Sequence, residues 1–198
     1  MSNFDLILSV VLGVVLAAST GFRVFLPMLI AGGAAYSGHL PLGENFAWLG
    51  TPAALLMLGV AALIEIVAYY IPGLDNLLDA VAAPAAVVAG TILSAAVMTD
   101  LPPALKWTAA IVAGGGAAGL TQSLTTILRA KSTVFTAGIG NPVIATAELG
   151  SAAALPLIAL SAPLIALALM LALLWLAIRM FRRMRQAIPT KPLDPGSG

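Results

Sequence analysis

Cysteine is absent from this 198-residue chain, which removes disulfides, thiolate metal sites and cysteine nucleophiles together. His39 is the single histidine, so neither a transition-metal centre built from protein ligands nor any other cofactor is expected. Charge is scarce too. Asp, Glu, Lys and Arg make up 9% of the residues, where a soluble domain carries about one quarter. A formal net charge of +1 gives no basic footprint for nucleic acid. What fills the chain instead is apolar: 61% of residues are hydrophobic and the mean hydropathy is +1.06. So little charge cannot cover a wetted surface. The expected fold is all-α, a polytopic transmembrane helical bundle with membrane lipid as its main partner.

A crossing takes about 20 mainly apolar residues, and the runs and their breakers predict six. The first run extends from Phe4 to about Tyr36 and is interrupted by Thr20-Gly21-Phe22-Arg23 and Pro27. It reads as a broken or strongly tilted crossing followed by a short second piece; alternatively, Arg23 snorkels to a headgroup from a helix end. Met1 to Leu8 carries no basic region, so this run is expected to be a retained helix and not a signal peptide. A polar connection, Gly38 to Gly50, leads to Thr51-Pro52, a threonine N-cap with proline at the first helical position. That second crossing is stopped by Ile71-Pro72-Gly73. The acidic connector Asp75 to Asp79 precedes a third crossing, Ala80 to Met98. A fourth runs from about Ala104 to Leu128 and is closed by Arg129 and Lys131. The stretch from Asn141 to Phe181 holds two more, with Ser161-Ala162-Pro163 as a tight turn or a kink. Residues 1–186 thus form the transmembrane domain, and the Pro- and Gly-rich residues 187–198 a flexible tail.

Six crossings put both termini on one side. Arg179, Arg182, Arg183 and Arg185 after the last crossing, together with Arg129 and Lys131, make that side cytoplasmic by the positive-inside rule. A weak internal repeat is also visible. Gly50-Thr51-Pro52 and Gly140-Asn141-Pro142 each open a crossing that holds a glutamate, Glu65 and Glu148 respectively. Residues 4–98 and 104–181 are therefore either inverted three-crossing repeats of the kind found in transporters or a chance recurrence in an Ala-rich chain.

Ionisable residues inside a membrane mark functional sites by default. Glu65, between Leu63-Ile64 and Ile66-Val67, needs a partner, water or a proton, and Arg23 is the most obvious partner. Glu148 is its counterpart in the second half, near Asn141. Arg23, Glu65, Asn141 and Glu148 are therefore the expected polar path or substrate-binding set. Asp75, Asp79, Gln122, Thr125 and Arg129 form a secondary group. Asp75 and Asp79 share a face if their connector is helical; Asp79 is otherwise an N-cap, or the two carboxylates hold a divalent cation. Tyr69 and Tyr70 have the character of an interfacial anchor. Gly114-Gly115-Gly116 and Gly119 are not a phosphate loop, since no Lys-Ser/Thr follows, and permit close helix approach. No serine, histidine and carboxylate fall into a hydrolytic pattern, so an enzyme is not expected.

Thr20-Gly21-Phe22-Arg23 with Leu26-Pro27, Glu65 followed by Ile71-Pro72-Gly73-Leu74-Asp75-Asn76 and Asp79, and Gly138-Ile139-Gly140-Asn141-Pro142 followed by Glu148 together resemble a bacterial integral-membrane family catalogued as a domain of unknown function. The resemblance covers nearly all of the chain to about Phe181. It implies a bacterial cytoplasmic (inner) membrane and supplies no agreed activity. It also implies an acidic-basic pair where this chain has Tyr69-Tyr70, an arginine at Ala83 and a second acid at Leu149, making this a less charged branch. The expected function is a small secondary transporter or channel-like carrier, homo-oligomeric, moving an unidentified small solute or ion. The alternative is a structural or accessory membrane scaffold whose polar residues only lock helices.

Overall fold

The computed structural model describes residues 3–71 and 74–186, and every regular element among them is helical. Eight α-helices follow in order: α1 (Asn3–Thr20), α2 (Phe25–Tyr36), α3 (Pro52–Ala68), α4 (Leu74–Val97), α5 (Pro103–Ala109), α6 (Gly116–Thr136), α7 (Asn141–Ser161) and α8 (Pro163–Gln186). A 3-10 segment, Glu44–Gly50, precedes α3, and a π-helical segment, Ala110–Gly115, joins α5 and α6 into one stretch, Pro103–Thr136. Four stretches are long and apolar enough to cross a membrane: Leu77–Val97, Pro103–Thr136, Asn141–Ser161 and Pro163–Met180. The 3-10 segment and α3, bent by 62°, make a fifth if they are one broken span, while α1 and α2 are shorter apolar helices.

Local chemistry sets most of the boundaries. Gly21 and Phe22 donate to the carbonyls of Ala18 and Ser19 at 3.1 Å each, a tightened last turn that ends α1. The Thr20 hydroxyl turns back onto the Ala17 carbonyl at 2.7 Å and lies 3.1 Å from the Ala86 carbonyl of α4. Thr51 caps α3 by accepting the Ala54 N–H, with Pro52 in the first turn where its missing donor matters least. Ala162, with φ −146°, separates α7 from α8, so Ser161-Ala162-Pro163 is a turn and not a kink.

Two boundaries differ from the expectation. The acidic connector is the opening of α4, so Asp79 sits inside a helix and is no N-cap. α6 continues past Arg129 and Lys131 to Thr136, because Arg129 faces protein and has no need to reach a headgroup. Pro72 and Gly73, read as the stop of the second crossing, and the tail 187–198 lie outside the described residues.

α1 occupies the middle of the bundle. Val15 to Thr20 are buried, and the helix packs against α4, α6, α7 and α8. Leu16 joins an apolar cluster with Met28 of α2, Leu49 of the 3-10 segment and Leu93 of α4. Val15 and Ala18 join another with Leu155 and Ala159 of α7 and Met170 of α8. Close approach at these contacts depends on small residues: a Cβ at Gly21 would lie 2.4 Å from the Ala118 carbonyl oxygen of α6, and one at Gly114 would lie 2.5 Å from Ser94 Cβ of α4. α3 stands at the edge, with Leu56, Met57, Val60, Leu63 and Ile64 exposed as a surface suited to lipid.

Candidate functional site

Four helix segments bring charge to one place in this apolar body. Arg23 lies in the break between α1 and α2, Asp79 in the first turns of α4, Arg129 past the midpoint of α6, and Glu148 two turns into α7. Each is set inward by the stripe it belongs to. On α6 the buried face runs Thr121, Gln122, Thr125 and Arg129, and on α7 it runs Asn141, Ala145, Glu148 and Ala152, at the three- and four-residue spacing of a helix face. On α4, Asp75, Asp79, Ala82 and Ala86 form the corresponding stripe.

The four side chains make a chain of alternating sign. Arg23 Nη1 donates to Glu148 Oε2 at 2.7 Å; Arg129 Nη2 donates to the same oxygen; and Arg129 Nη1 donates to Asp79 Oδ1 at 2.8 Å. Arg23 and Arg129 are each 1% exposed and Glu148 3%. Charges so far from water are tolerated only when paired and hydrogen-bonded. Arg23 also donates to the Phe22 carbonyl at 3.1 Å and to the Ala145 carbonyl at 3.2 Å. Five buried polar atoms have no hydrogen-bond partner among the described residues, and three belong to this chain: Arg23 Nε, Arg129 Nε and Glu148 Oε1. The other two are Asn141 Oδ1 and Thr121 Oγ1.

Tyr69 is the residue that sequence reasoning missed. Instead of anchoring at an interface it is buried, its hydroxyl donates to Asp79 Oδ1 at 3.1 Å, and both guanidinium carbons lie over its ring, 3.8 Å from the centroid for Arg23 and 4.3 Å for Arg129. An aromatic face attracts a desolvated cation, so this ring steadies both arginines. The adjacent Tyr70 is exposed and its hydroxyl meets that of Thr146 at 3.0 Å. Only the position of Tyr69 near intramembrane charges could have hinted at its role.

The expected Arg23–Glu65 partnership is replaced by another arrangement. The Glu65 carboxylate accepts the backbone N–H of Val24 at 2.7 Å and of Phe25 at 3.1 Å. It thus answers the free amides and positive dipole end at the start of α2, and fixes the backbone on which Arg23 is carried. Asn141 forms a satellite: its amide donates to Asp75 Oδ2 at 2.8 Å and to the Thr133 hydroxyl at 2.9 Å. Gln122 and Thr125 are buried on α6 but bond within their own helix, to Thr126 at 3.3 Å and to the Gln122 carbonyl at 3.0 Å. The site therefore unites Arg23, Asp79, Arg129 and Glu148 with Tyr69, flanked by Glu65 on one side and by Asn141 and Asp75 on another. No group of three or more His, Asp or Glu side chains among the described residues is arranged to hold a metal ion.

An open groove reaches Asp79 of this set. It has a volume of about 510 Å³, runs between α4 and α6, and is lined by Asp79, Ala80, Ala83, Gln122, Ser123, Thr126 and Ile127. A cleft of about 550 Å³ between α6, α7 and α8 is by contrast apolar, bordered by Leu128, Phe135, Val143 and Ile144.

A family model described as Domain of unknown function (DUF4126) matches residues 10–183, a stretch that includes every residue of the charged set. No curated protein and no solved structure matches the chain.

Proposed function

The chain belongs to the DUF4126 family, and from that premise we propose that it is a small membrane carrier whose transport site is the buried chain Arg23–Glu148–Arg129–Asp79. The observation that carries the reading is the pairing itself: four charged side chains from four parts of the chain are held among apolar helices, two arginines sharing one Glu148 oxygen and one of them also holding Asp79. Intramembrane charge of this kind is the usual substrate of ion and proton pathways. Two further features support it. The site adjoins a discontinuous helix pair, α1 and α2, and discontinuous helices are the usual frame of carrier sites. The groove beside Asp79 also gives a route from outside the bundle.

In this reading α1 and α2 form one broken crossing, the 3-10 segment with α3 a second, and the four long apolar stretches complete six. Both termini then share a side, and the arginines after Trp175 make it the cytoplasmic one. Arg129 gives no support to that orientation, since it is buried among helices.

The test is reconstitution of the purified protein in liposomes with an entrapped pH indicator and imposed gradients of sodium salts. The wild type is expected to change lumenal pH faster than protein-free liposomes, and Arg129→Ala to lose the effect. Equal traces for wild type and empty liposomes with every salt would overturn the carrier reading. A second reading is favoured by one specific fact: the same pairs tie the α1–α2 break to α4, α6 and α7, as a membrane scaffold requires. On that reading Arg129→Ala lowers the melting temperature and there is no flux to lose.

A further inference from the structure

Two buried arginines converge on a single oxygen. A guanidinium ordinarily meets a carboxylate side-on, with two parallel bonds to two oxygens. Here Arg23 and Arg129 both donate to Glu148 Oε2, while among the described residues Glu148 Oε1 has no hydrogen-bond partner and each arginine keeps an Nε–H with none. The donors are thus arranged around one point of negative charge, and the Glu148 carboxylate supplies it as a tethered internal anion.

We propose that this point is the binding site for a small monovalent anion of halide or carboxylate chemistry, which displaces the Glu148 carboxylate from between Arg23 and Arg129. The proposal rests on the carrier reading above and names its substrate class. Charge balance fixes what accompanies the anion. With Glu148 ionised, two guanidinium groups face two carboxylates, those of Glu148 and Asp79. An added anion restores that balance when Glu148 takes one proton on its carboxylate and becomes neutral. One proton therefore enters with each anion, and transport is an electroneutral symport. The groups that face Glu148 are Arg23, from the α1–α2 break, and Arg129, from α6; the further acids of the site are Asp79 of α4, which shares Arg129, Glu65 of α3, and Asp75 of α4, which accepts from Asn141. Glu65 is held by the amides at the start of α2 and keeps its partners in both states. The approach is the groove between α4 and α6, where Gln122, Ser123 and Thr126 offer neutral hydrogen-bonding groups to an anion shedding water. Asp79, which also lines it, is answered by Arg129 and by the Tyr69 hydroxyl.

The experiment is calorimetric titration of the full-length protein in detergent with sodium chloride, nitrate and acetate, each against sodium gluconate at matched ionic strength. In the wild type, affinity for at least one of the three is expected to rise about tenfold per pH unit as pH falls, the slope of one proton taken up per anion. Repeating the titration in buffers of different ionisation enthalpy should show that proton directly. Glu148→Gln should bind the same anion at neutral pH at least tenfold more tightly than the wild type, with no pH dependence. Chloride and nitrate binding without acetate identifies halide chemistry, and the reverse identifies a carboxylate. If Glu148→Gln folds and binds no more tightly than the wild type, or if wild-type binding takes up no proton, the anion proposal is wrong. The wild-type measurement decides this even if the variant does not fold. An anion that binds with linked proton uptake but is not moved by proteoliposomes leaves the site intact and overturns the carrier reading. Flux of protons with a cation and no anion binding does the opposite.

Discussion

Arg23 and Glu148 lie 125 positions apart in sequence, yet Nη1 of one stands 2.7 Å from Oε2 of the other, and neither is open to solvent. The contact joins the break in the first helix to the middle of the bundle's charge. Its strength is measurable apart from its function. Removing one member of a buried pair strands the other and costs about 3–5 kcal/mol.

A double-mutant cycle tests that statement. Glu148→Ala, which strands Arg23, is expected to lower stability in detergent by about 3–5 kcal/mol, and Arg23→Ala, which leaves Glu148 on Arg129, by less. The double variant should lose clearly less than their sum, because the second removal strands no new charge beside Arg129 and Asp79. Additive losses in a denaturation series would mean that the two residues are not coupled.

Glu65→Gln separates the helix cap from the charge chain. The glutamine keeps one acceptor oxygen where the carboxylate offers two to Val24 and Phe25, so the expected loss is about 1–2 kcal/mol. Hydrogen exchange should quicken at the Val24 and Phe25 amides, while amides around Glu148 keep their protection. Equal quickening at both places would show that Glu65 belongs to the ion-pair chain after all.

Tyr69 has two separable contributions. Tyr69→Phe removes the hydroxyl bond to Asp79 and keeps the ring beneath both guanidinium groups; it should cost about 1 kcal/mol. Tyr69→Leu removes the ring as well and should cost about 2 kcal/mol more, the size of a desolvated cation–π contact. Thermal melts in which the two variants coincide would remove the ring from the account.

Glycine substitutions report on helix approach. Gly21→Ala puts a methyl 2.4 Å from the Ala118 carbonyl oxygen and 2.6 Å from Thr121 Cβ, which overpacking prices at about 1–3 kcal/mol or more. Gly59→Ala, in α3 with no atom within 4 Å of the new Cβ, should leave the melting temperature unchanged or raise it through helix propensity. A Gly21→Ala protein as stable as the wild type would contradict the packing of α1 on α6.

Helix ends were legible because their causes are local. The broken first run at Gly21–Arg23, the Thr51-Pro52 start of α3 and the Ala162 turn all follow from residues within a few positions of the boundary. The choice of partner was not legible. Glu65 and Glu148 are each a glutamate in an apolar helix, and nothing near Arg23 in sequence distinguishes them; the choice is made by how α7 packs against α1 and α2. Arg129 misled for the same reason. A basic residue after an apolar run ordinarily reaches for a headgroup, and only Asp79, 50 positions earlier, and Glu148, 19 later, keep it inside. Tyr69 looked like an anchor because tyrosine at a helix end is usually at an interface, whereas its ring is held by two cations from other elements.

The central position of α1 has a consequence for how the protein is made. α1 leaves the ribosome before the helices that come to enclose it, and the Glu148 carboxylate that pairs with the arginine following it is synthesised only with α7. During that interval Arg23 must stay near the bilayer surface or be sheltered by another protein. Biogenesis is therefore expected to be late-closing: chains truncated before α7 should remain sensitive to proteolysis or bound to an insertion factor, and release should coincide with the arrival of Glu148.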